Sequence, residues 1–199
     1  MQQNKGRPER RDRLREDRPD GKIIRGNIIR IEKVSRLADL SARSELTIGN
    51  DLLRERTAVT ADRSVDLDHL YVFMHPWSPR FDRYHAVRPG GSKLDFGFRS
   101  DDGFPNRKFV SAAAWHETKT GLGAATFIRN IEGKKAPMRY IRSRKSYCKD
   151  YLCDYYRSTL PAGRTVVYEA VTGFFRQPDC GKWTADAEAL LKKLSGNAK

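Results

Sequence analysis

Two carboxylates and one lysine near the middle of the chain have side chains that could act on a phosphodiester. Asp95 lies in the stretch LDFGF, and Glu117 and Lys119 follow an apolar run in AAAWHETK. Carboxylate oxygens are the ligands that Mg²⁺ prefers in proteins. A lysine beside the metal would orient the attacking water or stabilise the charge of the reacting phosphate. These three residues therefore form a candidate catalytic set that would need Mg²⁺.

This arrangement resembles the metal-dependent nucleases of the PD-(D/E)xK type, in which one carboxylate is followed on the next strand by E-x-K. The proline that usually precedes the first aspartate is absent, because Leu94 stands there. A short E-x-K pattern also arises by chance in a charged protein. The alternative interpretation of Glu117 and Lys119 is a charged turn at a strand end. Because the pattern is weak, we expect a protein without catalytic activity, and a nuclease is the alternative.

The histidines suggest a second, metal-independent chemistry. His75 and His85 flank a loop that also contains Asp82, so a general acid–base pair of the kind that ribonucleases use is a further alternative. A structural role as hydrogen-bonding side chains is the competing interpretation. We expect residues 75–81 to form a loop, because Pro76 and Pro79 disfavour regular strand pairing.

Charge is the most pronounced feature of the composition. The chain of 199 residues carries a formal net charge of +14, with a sequence pI of about 9.9. About half of the excess lies in residues 129–164, which hold ten basic and three acidic residues. Basic surfaces attract nucleic acids because binding releases counterions from the phosphate backbone. The predicted phosphate contacts are Lys134, Lys135, Arg139, Arg142, Arg144, Lys145 and Lys149, supported by Lys22, Arg25 and Arg30.

Aromatic residues accompany this charge in two places. Tyr147, Tyr151 and Tyr155 have the four-residue spacing of one helix face, which predicts a helix whose tyrosines pack in the core. Trp77, Phe81 and Tyr84 surround a proline-containing loop and are candidates for stacking on bases. The alternative for these three residues is a loop held against the core.

The pattern of elements predicts an α+β fold. We expect a single domain over residues 21–199, with a mixed or antiparallel sheet flanked by helices near 35–55, 146–158 and 184–195. Residues 165–175 form the clearest strand, and residues 84–99 have the form of a hairpin that turns at Pro89-Gly90-Gly91. Residues 1–20 are highly charged and contain one leucine, which predicts a flexible basic arm that orders on a protein partner or during assembly.

These observations together predict a nucleic-acid-binding protein with an accessory or regulatory role. The alternatives are the nuclease that uses Asp95, Glu117 and Lys119, and a structural component of a coat or ribonucleoprotein. The sequence predicts no cofactor apart from Mg²⁺ under the nuclease alternative. Three cysteines, no apolar signal segment and no apolar run of membrane-spanning length predict a cytoplasmic protein. They leave the oligomeric state and the choice between DNA and RNA open.

Overall fold

The computed structural model describes residues 27–49, 51–88, 90–97, 106–109, 111–130, 138–144, 147–155 and 157–196. Within this part the chain forms three antiparallel sheets and one helix. The strands are β1 (Ile29–Leu37), β2 (Leu40–Ile48), β3 (Leu52–Ala61), β4 (Val65–Leu67), β5 (Leu70–Trp77), β6 (Arg83–Val87), β7 (Lys93–Gly97), β8 (Asn106–Phe109), β9 (Ala112–His116), β10 (Leu122–Asn130), β11 (Met138–Arg144), β12 (Tyr147–Asp154), β13 (Ser158–Leu160) and β14 (Thr165–Arg176). The helix α1 spans Trp183–Gly196.

The large sheet has eight strands in the order β1-β2-β3-β14-β10-β9-β6-β7. Successive strands at its first edge are joined by tight connections, and Ala38 makes the β1–β2 turn with a φ of 50°. The centre of the sheet is β14, which pairs with β3 on one side and β10 on the other. Its run TVVYEAVTGFF consists largely of β-branched and aromatic residues, which favour a buried central strand.

A small sheet of four strands, in the order β5-β12-β11-β8, packs on one face of the large sheet. Val59, Ile128, Val166 and Tyr168 of the large sheet form one buried cluster with Phe73 and Leu152 of the small sheet. The protein is therefore a two-layer β-sandwich over this region. A two-stranded sheet of β4 and β13 lies beside it, with Leu160 and Leu67 packed in the same cluster.

Helix α1 covers the opposite face of the large sheet. Its buried residues Trp183, Ala187, Leu191 and Leu194 have helical spacing, and they pack on Ala114, Ala125 and Val171 of the central strands. Gly173 of β14 leaves room for Leu190, whose side-chain carbons would lie 3.1 to 3.5 Å from an added Cβ. The predicted helix near 184–195 is therefore present, with Asp186 in its first turn and Lys193 in its last.

The α+β prediction is wrong, because the two other predicted helices are strands. Residues 35–55 form most of the β1–β2 hairpin and the start of β3, and residues 146–158 contain β12. The tyrosine spacing led to the wrong prediction of a helix, because a separation of four residues places side chains on one face of a strand as well as on one face of a helix. The leucines of residues 37–46 are equally ambiguous, since Leu40 and Leu46 share one face of β2.

Residues 75–77 also differ from the prediction, because β5 continues through Pro76 to Trp77. Strand β5 is an edge strand of the small sheet, where a proline is tolerated. The predicted arm, residues 1–20, lies outside the described residues. Among the residues that the structure describes, no helix has the length and apolar character needed to cross a membrane.

Candidate functional site

A cleft opens between the two sheets where β1, β2 and β3 extend beside the edge strand β5. Its volume is about 290 Å³. The large sheet contributes both polar and apolar side chains to the lining of the cleft. Three consecutive residues of β5 complete the lining. The lining includes Ile31, Lys33, Ser44, Glu55, Thr57 and Phe73.

Glu55, which lines this cleft, contacts an imidazole of the opposite sheet that lies next to the cleft lining. Oε2 of Glu55 on β3 lies 2.7 Å from Nε2 of His75 on β5. The two side chains are 24% and 13% exposed, respectively. The distance is that of an ion pair, yet neither ring nitrogen of His75 nor Oε2 of Glu55 makes an aligned hydrogen bond with the described residues. Buried polar atoms without such a bond are uncommon, and an ordered water or a ligand group can satisfy them.

The backbone explains why these two side chains face one another. Glu55 is two residues before Thr57 and four before the core residue Val59, so all three point toward the small sheet. His75 is two residues after the core residue Phe73 and therefore points toward the large sheet. The pair thus occupies positions that would otherwise belong to the apolar core of the sandwich.

Aromatic rings continue from this pair into the interior. Phe73, His75 and Trp77 occupy alternate positions of β5, with successive ring centroids 5.7 and 6.2 Å apart. Trp77 stacks on the buried Trp115 at 4.6 Å. Asp150 of β12 is directly opposite His75 in the strand register and is almost fully buried. These neighbours restrict the orientation of the imidazole.

Hydroxyl groups and one cation form the other wall. The hydroxyls of Ser44 and Thr57 lie 3.0 Å apart on neighbouring strands. Lys33 is opposite Ser44 in the β1–β2 register and also lines the cleft. The cleft therefore presents hydrogen-bond donors, acceptors and hydroxyls, which act as both, around an apolar floor.

A second group of titratable residues lies on the other face of the large sheet, beside α1. Oε1 of Glu188 is 3.1 Å from Nε2 of His85 and 2.6 Å from Nζ of Lys93. Burial lowers the pKa of His85 below 6.5, against the attraction of Glu188 and Asp95. The hydrogen bond from Lys93 lowers the pKa of Glu188, and the charge of His85 acts in the same direction. This group connects α1 to β6 and β7.

His75 and His85, the predicted acid–base pair, are not brought together. His75 points between the two sheets, whereas His85 contacts Glu188 and Trp183 of α1 on the outer face. Asp82 is occupied elsewhere, because its Oδ1 accepts a hydrogen bond from the backbone N–H of Thr118 at 2.9 Å.

The predicted nuclease residues also lie apart. Asp95 is on β7 and Glu117 follows β9, with β6 between the two strands. Neighbouring strands are about 4.8 Å apart, so the two carboxylates are roughly 10 Å or more from each other. Glu117 is buried and accepts a hydrogen bond from the Thr120 hydroxyl, whereas Lys119 is exposed in the turn. No group of three His, Cys, Asp or Glu side chains in the described ranges is arranged to hold a metal ion.

The predicted phosphate contacts fall largely outside the described structure. Lys22, Arg25, Lys134, Lys135 and Lys145 are among the undescribed residues. For Arg139, Arg142 and Arg144 the structure describes the backbone of β11, and not the side chains. Arg30 lies on β1 and Lys149 on β12, which belong to different sheets. Of the predicted phosphate contacts, the structure therefore describes only the side chains of Arg30 and Lys149.

The three stacking candidates lie in one aromatic cluster. Tyr84 is buried against Trp115, and Trp77 and Phe81 pack on the same cluster. Trp77 contacts Phe81 edge to face at 5.8 Å. The rings thus contact one another, as the core alternative expects.

Comparisons with known proteins bear on the fold alone. No protein-family model matches the chain, and no curated protein matches it. Among solved structures, a candidate aldose 1-epimerase from Escherichia coli K12 is similar with 10% identity and a TM-score of 0.47, over 75% of this chain and 65% of that one. The Slr1438 protein from Synechocystis sp. PCC 6803 is similar with 8% identity and a TM-score of 0.45, over 75% of this chain and 62% of that one. A galactose mutarotase-related enzyme from Lactobacillus acidophilus is similar with 12% identity and a TM-score of 0.41, over 77% and 69%. The chain thus spans less than two thirds of the first two proteins.

The prediction of nucleic-acid binding is contradicted. Two of the similar structures are named for aldose and galactose chemistry, and none of the three is named for nucleic-acid binding or a nuclease. The predicted helix of residues 146–158, which was to pack its tyrosines in the core behind the predicted phosphate contacts, contains a strand of the small sheet. Net charge was the basis of the prediction of nucleic-acid binding, and it did not indicate where a site lies.

Sequence reasoning missed Glu55 and assigned His75 to a loop. Glu55 was part of a predicted helix in the charged run LLRERT, where nothing distinguished it from its neighbours. The available signal was the alternation of residues 53–59, in which Leu53, Glu55, Thr57 and Val59 share a face. A carboxylate in an otherwise inward-facing row would have marked a polar site in the sandwich.

Proposed function

We propose that the chain binds a carbohydrate in the cleft between the two sheets, with Glu55 and His75 contacting its hydroxyl groups. The observation that carries the proposal is the 2.7 Å contact between Oε2 of Glu55, which lines the cleft, and Nε2 of His75, which follows the lining residues of β5. Both groups come from facing sheets and lack aligned hydrogen bonds among the described residues. A hydroxyl group that donates to the carboxylate and accepts from the imidazole would satisfy both.

The composition of the cleft supports this ligand class over others. A sugar ring presents hydroxyls around its edge and C–H groups on its faces, so its site needs mixed polar groups beside an apolar surface. Glu55 provides an acceptor, Lys33 a donor, and Ser44 and Thr57 provide hydroxyls, while Ile31 and Phe73 provide the apolar surface. A volume of about 290 Å³ corresponds to a ligand of one or two sugar rings.

The same pair supplies a chemistry that acts on a sugar. A carboxylate and an imidazole in one site can remove a proton from one oxygen and deliver a proton to another. Acting on a cyclic aldose, Glu55 would take the proton of the anomeric hydroxyl while protonated His75 gives a proton to the ring oxygen. The bond between the anomeric carbon and the ring oxygen then breaks, leaving an open-chain aldehyde that can close to either anomer.

Binding is tested by ligand-observed NMR with a panel of aldoses and disaccharides. We expect saturation transfer to at least one sugar with the wild-type chain, and its loss in Glu55→Gln and His75→Gln. The matched control is Glu169→Gln, because Glu169 has a similar exposure of 25% and pairs with Arg56 away from the cleft. Unchanged thermal unfolding of the variants separates loss of the site from loss of the fold. The proposal fails if no sugar binds, or if Glu55→Gln binds as well as the control.

Catalysis is tested separately by polarimetry on freshly dissolved single anomers of any sugar that binds. The rate of anomer exchange should rise with wild-type protein and fall to the spontaneous rate with Glu55→Gln. Binding without acceleration would limit the site to recognition and remove the acid–base step.

A further inference from the structure

The first strand of the large sheet has an unpaired edge with the properties of a pairing surface. Within the described residues, β1 pairs with β2 on one side and with no strand on the other. It is nine residues long, and its register with β2 runs from Ile29 to Leu37 without a bulge. Its backbone N–H and C=O groups therefore form a regular row to which another strand can add.

The other described edges are protected in ways that β1 is not. Strand β5 carries Pro76, which cannot donate a ladder hydrogen bond. Strand β7, at the far edge of the large sheet, has five residues. Short edges, prolines and charged side chains are common means by which proteins prevent strand addition. Strand β1 is long and has no proline, and its four charged residues carry both signs, so a strand with complementary charges can still add.

Apolar side chains are exposed along this edge. Val34 is 73% exposed and Leu37 is 74% exposed, and Ile28, just before the strand, is 70% exposed. Val34 lies between Glu32 and Arg36 on the outer face, whereas Leu37 shares the cleft-facing side with Ile31. Exposed apolar residues grouped on an unpaired edge indicate an interaction surface.

We propose that β1 pairs antiparallel with β1 of a second copy of this chain, with Val34 opposite Val34 at the two-fold axis. Residues directly opposite each other in an antiparallel pair have side chains on the same side of the sheet. Only registers that place residues of the same strand face opposite each other are therefore possible. With Val34 at the centre, Glu32 is opposite the Arg36 of the second copy, and Ile31 is opposite its Leu37. The pairs of opposite charge thus form on the outer face of the joined sheet, and the apolar pairs form on its cleft-facing side.

The neighbouring registers lack this complementarity. Centring the pair on Lys33 would place Lys33 opposite Lys33 and Arg30 opposite Arg36, and centring it on Glu32 would place two carboxylates opposite each other. Like charges directly opposite are destabilising. Centring the pair on Ser35 would place Val34 opposite Arg36 and Lys33 opposite Leu37, without a charge pair. Of the registers centred on residues 32 to 35, only the Val34 register places opposite charges across from each other, so charge complementarity favours the second copy as occupant and the Val34 register. The resulting two-fold pairing repeats each contact twice, as a closed dimer requires.

The dimer is tested by sedimentation velocity and light scattering on the full chain up to millimolar concentration. We expect a reversible monomer–dimer equilibrium in the wild type and a monomer in Val34→Lys, which would place two lysines together at the axis. The control Lys193→Glu changes an exposed residue of α1 and should leave association unchanged. A monomeric wild type at every concentration overturns the proposal.

A charge exchange tests the register. Glu32→Arg and Arg36→Glu should each weaken association at least tenfold, because like charges then meet twice across the axis, and the double variant should restore it. Within one chain, Glu32 contacts Arg43 and Arg36 contacts Asp62. Both pairs are exposed, so their loss should alter folding little. Failure of the double variant to recover association rejects this register.

Cross-linking gives an independent readout of the axis. In a background that carries Cys148→Ser, Cys153→Ser and Cys180→Ser, Val34→Cys should form a disulfide-linked dimer under mild oxidation. Leu122→Cys, at a position 49% exposed on β10, should remain at the background level. Equal cross-linking of the two variants would show random collision and contradict the proposal.

Discussion

The imidazole of His116 stacks on the indole of Trp183, with ring centroids 5.1 Å apart and planes 13° from parallel. His116 ends β9 and Trp183 begins α1, so this contact attaches the first turn of the helix to the large sheet. Nε2 of His116 also lies 2.7 Å from the backbone oxygen of Gln177, in the segment that leads into the helix. The helix is thus fixed at its start by one buried aromatic stack and the segment that precedes it.

Replacing Trp183 by alanine should destabilise the protein by about 3–5 kcal/mol, because a fully buried indole is lost and a cavity remains against His116 and His85. Urea unfolding monitored by circular dichroism measures the change. Lys193→Ala, at an exposed position of the same helix, should change stability by less than about 0.5 kcal/mol. Equal effects of the two substitutions would show that α1 does not depend on this contact.

The stability of the protein should fall as the pH falls below about 6.5, in part because of His85. Burial lowers the pKa of His85 in the folded state, while Glu188 and Asp95 raise it and Lys93 lowers it. The unfolded chain therefore takes up a proton near the ordinary histidine pKa that the folded chain does not bind. The stabilisation is present above that pKa, is lost progressively below it, and stops changing below the folded pKa.

The variant His85→Gln should show a shallower loss of stability between about pH 7.5 and pH 5.5 than the wild type. Urea midpoints measured across this range give the two slopes. An identical slope in the variant would show that His85 does not contribute to the pH dependence.

Two glycines with left-handed backbone should respond differently to alanine. Gly121 has a φ of +73°, and a Cβ there would lie 2.8 Å from backbone atoms of Pro178. Gly163 has a φ of +71°, and a Cβ there would meet no described atom within 4 Å. Gly163→Ala should cost about 1–2 kcal/mol from backbone strain alone.

Gly121→Ala should cost more than about 3 kcal/mol, because the segment that leads to α1 must also move. Thermal and urea unfolding of the two variants provide the comparison. Equal losses would mean that the contact with Pro178 relaxes without cost.

The buried hydroxyls of Thr126 and Thr172, 2.9 Å apart on β10 and β14, should behave as a coupled pair. Thr126→Val should cost about 1–3 kcal/mol, because it removes the hydrogen bond between the two hydroxyls inside the sandwich. The double variant with Thr172→Val should cost less than the sum of the single variants by at least about 0.5 kcal/mol. Additive losses in a double-mutant cycle would show that the hydrogen bond contributes no coupling.

The sequence by itself determined the elements whose signals are local. Residues 165–175 predicted a strand and lie in β14, and the acid-to-lysine gradient of residues 184–195 predicted α1. The hairpin of residues 84–99 is also present as β6 and β7, with Gly90 and Gly91 in left-handed conformation at the turn. In each case the residue pattern is compatible with one backbone conformation, so neighbours along the chain suffice to specify the element.

Only the tertiary structure decided what residues 35–55 and 146–158 become, and where the site lies. A four-residue spacing such as that of Tyr147 and Tyr151 satisfies a helix face and a strand face equally, and pairing of β12 with β5 and β11 selects the strand. Glu55 and His75 are twenty positions apart in the sequence, on strands of different sheets. Their contact arises because the two sheets pack face to face, and that packing depends on pairings between strands distant along the chain, which no local pattern encodes.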